Sequence, residues 1–159
     1  RPMAVGSAAG RAFASALRQV CVAMARMLAR DGEGAKKLIE VRVEGARTAA
    51  EARMAARTVT ASPLVKTAVH GNDPNWGRIL MAVGRSGAAV EVERARVWLG
   101  RIRVYDRGIV RFDEAAASEY LRNEEVELRV DLGAGAAMAT AWGCDLTPEY
   151  VHINADYTT

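Results

Sequence analysis

Apolar residues recur along this chain with two different periods, and the changes of period mark the elements. In residues 11–30, Phe13, Leu17, Val20, Met24 and Leu28 fall at three- and four-residue steps, which puts them on one face of a helix. Ala fills most other positions, and Asp31-Gly32 stops the helix. The Met and Cys residues on it are expected to fill a core. From Lys37 the period is two. Ile39, Val41 and Val43 alternate with Glu40, Arg42 and Glu44, the pattern of a half-buried strand, which Gly45 ends. Thr48 with Glu51 has capping-box spacing and predicts an Ala-rich helix to about Ala61. Ser62-Pro63 closes that helix or opens a short one over residues 64–69.

The stretch "HGNDPNWGRIL", residues 70–80, packs turn formers ahead of an apolar series. Asp73-Pro74 reads as an N-cap and a first helical residue, and Trp76, Ile79, Leu80 and Val83 follow at helical spacing. Residues 96–99 and 102–105 predict strands about a turn at Gly100, and Asp113 caps a short helix through Leu121. Val126, Leu128, Val130 and Leu132 alternate with Glu127, Arg129 and Asp131. Gly133-Ala134-Gly135 then predicts a hairpin, with residues 138–144 as the returning strand. Thr147-Pro148-Glu149 opens a last helix.

Helices and strands mix without strict βαβ alternation. The expected fold is therefore α+β, a layered fold with mainly antiparallel sheet packed against helices. The 159 residues suit a single domain, 1–159. The net charge is +3 with pI 9.1, but Arg residues are dispersed among acids, so nucleic acid is not an expected partner. Cys21 and Cys144 form neither a disulfide framework nor a zinc spacing. They read as buried thiols of a reducing cytoplasm. No uninterrupted apolar run approaches the ~20 residues of a bilayer span, and no membrane segment is expected.

Candidate chemistry is sparse. In "DGEGAKKLIEV", residues 31–41, Glu33 stands between two glycines on a turn; it is either a solvated acid or a carboxylate able to reach a ligand amine. Arg78 is placed to bind an anion or pair with an acid, and His70 reads as a structural histidine. No nucleophile elbow and no phosphate loop is present.

Three stretches, "DGEGA" at 31–35, "SPLVKTAVHGNDPNWGRILMAVGRSG" at 62–87 and "TAWGCDLTPEYVHINADYTT" at 140–159, together resemble the β chain of ornithine acetyltransferases, bifunctional enzymes of arginine biosynthesis. The resemblance implies an ornithine-acetyltransferase-like fold and a cytoplasmic enzyme whose precursor cuts itself at an Ala-Thr bond. The new N-terminal Thr takes the acetyl group of N-acetylornithine and passes it to glutamate. Acetyl-CoA is a further donor in some members, and no cofactor or metal is implied. By position, Glu33, Asn154 and Thr159 match substrate-binding residues. The expected partners are the α chain of the same precursor and a second αβ pair.

The matched region begins downstream of the family's nucleophilic Thr. This chain is thus expected to be the C-terminal part of a β chain, supplying substrate-binding residues and scaffold. No catalytic residue is assigned, and the chain alone is expected to be inactive. Two alternatives stay open: a non-catalytic homologue that serves only as an assembly module, and an aminopeptidase-like relative that cleaves itself in the same way.

Overall fold

The computed structural model describes residue 4 and residues 6–156. Among these, the elements run α1 (Ala8–Arg30), β1 (Leu38–Ala46), α2 (Ala49–Thr60), α3 (Pro63–His70), α4 (Trp76–Gly84), β2 (Arg96–Leu99), β3 (Ile102–Asp106), α5 (Glu114–Tyr120), β4 (Glu125–Asp131), β5 (Ala137–Cys144) and α6 (Pro148–Asp156). The strands form one sheet of order β3-β2-β4-β1-β5. Only β1 and β4 pair in parallel; the other three pairings are antiparallel. The fold is α+β with a mainly antiparallel sheet, as the patterning predicts.

The period-two residues make the core. Ile39, Val41 and Val43 of β1 are fully buried, as are Leu128 and Val130 of β4 and Val97 of β2. They share one cluster with Ala52, Ala55, Ala56 and Val59 of α2 and with Ile79 and Val83 of α4. Each large aliphatic side chain buried this way contributes about 1.5–3 kcal/mol. The intervening residues carry charge. Arg96 bridges Asp106 at 3.1 Å and Asp131 at 3.0 Å, and the Arg129 guanidinium lies 3.9 Å from the Trp98 ring centroid, a cation–π contact.

Several expectations give way. Residues 133–135 do not close a hairpin: β5 pairs with β1, which lies between β4 and β5. The N–H groups of Ala134 and Gly135 donate to the Gly45 carbonyl at 2.8 and 2.7 Å, so the chain crosses the end of β1 to reach its far edge. Gly45 makes that crossing possible. It has φ +69°, and a Cβ there would lie 2.0 Å from Asp131 Oδ1. The N-cap of α4 is Asn75, whose side chain accepts from Arg78 N, not Asp73. Asp73 instead ends the preceding turn, its N–H bonded to the Ala68 carbonyl at 2.9 Å.

Helix α1 forms as predicted, with Ser7 as N-cap, but none of its residues is buried. Phe13, Leu17, Val20, Met24 and Leu28 are between 50% and 75% exposed. Among the described residues its apolar face therefore fills no core. Its C-terminal end is held by ion pairs of Arg26 with Glu40 and Glu125 and of Arg30 with Glu124 and Glu125. Cys21 on this helix is exposed and Cys144 is half-buried, so they are not the pair of buried thiols expected. By length and composition, α1 also reaches the requirement for a membrane span, a property that counting uninterrupted apolar runs does not register.

Candidate functional site

Between α1 and β1, residues 31–37 make a tight turn. The Asp31 N–H caps α1 through the Met27 carbonyl at 3.0 Å, and the Ala35 N–H returns to the Gly32 carbonyl at 2.9 Å. Gly34 sits at φ +65°, and a Cβ on it would lie 2.8 Å from Tyr150 N. Only glycine lets the turn approach the start of α6 so closely. This approach leaves Glu33 exposed at the tip, facing α6.

Glu33 Oε2 accepts a hydrogen bond from Asn154 Nδ2 at 2.8 Å. The same amide donates to the Tyr150 carbonyl one turn earlier at 2.9 Å, which fixes its orientation. Two candidates 121 positions apart thus share one spot. Among the described residues, Glu33 Oε1 and Asn154 Oδ1 have no partner. The spot is rich in acceptors, which suits an ammonium group. Thr159 lies outside the described residues.

A second tier of residues holds this pair. Thr147 Oγ1 donates to the Gly34 carbonyl at 2.8 Å and accepts from Tyr150 N at 3.2 Å, so one hydroxyl ties the loop and caps α6. The Asp145 side chain is completely buried. Its Oδ1 accepts from Lys36 N at 2.8 Å and Lys37 N at 2.9 Å, and its Oδ2 lies 3.0 Å from His70 Nδ1. Lys37 Nζ donates to the carbonyls of Val69 and Leu121 and to Asn72 Oδ1, at 2.8, 2.7 and 2.5 Å. Burial lowers the Lys37 pKa, the Asp145 carboxylate opposes that, and Arg122 adds to the lowering.

His70, expected to be structural, bonds the buried Asp145 carboxylate through Nδ1 at 3.0 Å. Among the described residues Arg78 pairs with no acid; its Nη1 donates to the Leu64 carbonyl at 3.1 Å and to Thr67 Oγ1 at 3.4 Å. Sequence patterning does not mark Asp145, Thr147 or Lys37 as site residues. Thr147 does precede a helix-starting Pro, whereas a lone buried Asp has no sequence signature. Among the described residues, no group of three or more His, Cys, Asp or Glu could hold a metal ion.

The loop after α1 and helix α6 thus bring one carboxylate and one amide together on an α+β scaffold with a mainly antiparallel sheet. The chain matches the ArgJ family over residues 3–159 and belongs to that family. It is 55% identical over 147 residues to the arginine biosynthesis bifunctional protein ArgJ of Deinococcus radiodurans, covering 92% of this chain and 38% of that protein. To the protein of the same name from Symbiobacterium thermophilum it is 56% identical over 155 residues, covering 97% and 39%. The crystal structure of ArgJ from Bacillus halodurans superposes with a TM-score of 0.95 at 42% identity, covering 99% of this chain and 75% of that one. The chain spans less than two-fifths of the length of the two sequence relatives.

Proposed function

We propose that this chain is part of an acetyltransferase of arginine biosynthesis that moves an acetyl group from N-acetylornithine to glutamate. The reading is carried by the Glu33–Asn154 hydrogen bond at 2.8 Å in a chain of the ArgJ family. The Glu33 carboxylate binds the substrate ammonium, Asn154 takes a second polar group, and Thr159 supplies a third contact. The nucleophile is the N-terminal Thr freed by cleavage of an Ala-Thr bond. Its hydroxyl oxygen attacks the acetyl carbonyl while its α-amine takes the hydroxyl proton. The amide C–N bond breaks, and ornithine leaves carrying that proton. The amine of glutamate then attacks the acetyl-threonine carbonyl, the ester C–O bond breaks, and the proton lost by that amine passes through the Thr α-amine to restore the hydroxyl.

Acetyl-CoA is an alternative acetyl donor, and the reaction uses neither a resident cofactor nor a metal. This chain supplies binding groups and scaffold and is inactive alone. Its partners are the α chain of the same precursor and a second αβ pair, which makes a cytoplasmic heterotetramer. The exposed apolar face of α1 supports a protein partner. Arg11, Arg18 and Arg26 recur along that helix, which suits a protein surface better than a lipid interior. The same face also suits the alternative, a non-catalytic assembly module.

The test is the complete protein, assayed for acetyl transfer from N-acetylornithine to glutamate, with N-terminal sequencing of every chain. Transfer together with a chain starting at Thr is expected. An intact, assembled protein without transfer would leave the assembly module as the function.

A further inference from the structure

The turn at residues 70–73 makes no ligand contact in the reading above, yet it is bonded to the segment that carries Glu33. His70 reaches that segment through Asp145, and Asn72 reaches it through Lys37 Nζ. We infer that His70, Asn72 and Asp145 are positioning residues that set Glu33 against Asn154. This rests on Glu33 and Asn154 being ligand-binding groups.

A glycine-flanked turn standing alone would let Glu33 sample many positions. Here the turn is fastened at its far end and at its tip. Asp145 takes the N–H groups of Lys36 and Lys37 at its far end, and Thr147 takes the Gly34 carbonyl at its tip. The same Thr147 caps α6, whose Tyr150 carbonyl orients the Asn154 amide. Residues 145–147 therefore set the loop and the helix together. A completely buried carboxylate is costly unless its oxygens are satisfied. Asp145 meets that condition with two backbone donors on one oxygen and His70 on the other. His70 ends α3, so it ties this link to the α3–α4 turn. Lys37 repeats the tie from the other side, since its three ammonium donors all find oxygens, two of them on Val69 and Asn72.

The experiment uses the complete enzyme, with N-acetylornithine as varied substrate. His70→Ala removes the bond to Asp145; in His70→Asn the amide nitrogen can take the place of Nδ1 and keep it. His70→Ala is expected to raise KM about tenfold with kcat within about twofold, since ligand placement is lost and the reacting groups are untouched. His70→Asn is expected to restore KM. Adding His70→Ala to Glu33→Gln should raise KM by much less than it does in the wild type, because both act on one contact.

An unchanged KM in His70→Ala beside a raised KM in Glu33→Gln overturns the inference. So does a fall in melting temperature with KM unmoved, or a raised KM that Asn fails to rescue. A normal KM in Glu33→Gln overturns the ligand reading itself and the inference with it, and that variant alone tells the two failures apart. Should His70→Ala fail to assemble, Asn72→Gly keeps the positive φ of 55° and deletes the acceptor of Lys37. A raised KM there supports the inference, and an unchanged one overturns it.

Discussion

Asn154 of α6 donates its amide to Glu33 Oε2 at 2.8 Å, and the two residues lie 121 positions apart. The bond joins the loop that follows the first helix to the last described helix. Among the described residues it leaves Glu33 Oε1 and Asn154 Oδ1 without a partner.

Glu33→Gln in the complete enzyme keeps the shape of the side chain and removes its charge. Losing a charge-assisted bond to the substrate ammonium should weaken binding by roughly 1.5–3 kcal/mol, about ten- to a hundredfold. Glu33 is exposed, so the melting temperature should hardly move. Titration calorimetry with N-acetylornithine, paired with a thermal scan, checks both. Unaltered affinity would make Glu33 a solvated turn acid.

Gly34→Ala attacks the same contact from the backbone. At φ +65° a side chain costs about 1–2 kcal/mol, and the new Cβ would lie 2.8 Å from Tyr150 N and 3.0 Å from Glu149 Cβ. The start of α6 must move away, taking Asn154 with it. The expected result is lower stability together with a raised KM. A variant that loses stability but keeps KM would show that the loop and α6 need not be in register for binding.

The sequence makes the elements legible and leaves their neighbours open. Alternation in β1 and β4 tells which residues face the core, because side chains switch sides at every step. It does not tell that β1 slots between β4 and β5, since that pairing rests on Gly45, whose carbonyl receives two N–H groups from the chain leaving β4. The α1 pattern fixes a helix and its apolar stripe, but period alone cannot say what covers the stripe. At the site, Glu33 is visible because two glycines flank it. Asp145 is not, because its partners are the backbone N–H groups of Lys36 and Lys37, and backbone groups have no sequence signature.

Tyr120→Phe gives a pH test of the packing under β4. The Tyr120 hydroxyl accepts from the Glu127 N–H at 2.8 Å and donates to the Glu127 carbonyl at 3.4 Å. Burial raises its pKa above 10.0; the Glu127 backbone bond opposes this, and the Glu127 and Glu40 carboxylates add to it. The folded chain therefore holds this proton more tightly than the unfolded chain. The contribution is fully present below pH 10 and is lost as pH rises through the raised value. Near neutral pH the variant strands the Glu127 N–H and should lose about 1–3 kcal/mol. Urea unfolding of both proteins should show that gap closing above pH 10. A gap that widens there would contradict the assigned direction.

The exposed face of α1 predicts how the 159-residue chain behaves by itself. Phe13, Leu17, Val20 and Met24, each at least 50% exposed, form a continuous apolar stripe on a helix with no buried residue. Such a stripe drives association when its proper partner is missing. Sedimentation velocity should therefore show association that grows with concentration, and the chain should show no acetyl transfer. Leu17→Glu with Met24→Glu should shift it toward monomer. Because neither side chain is buried, the cost in stability should stay near the ~0.5 kcal/mol typical of surface changes. On the proposed αβ arrangement, the same pair should impair assembly in the complete protein, measured by co-purification. A monomeric wild-type chain at all concentrations, or normal assembly of the double variant, would remove α1 from the interface.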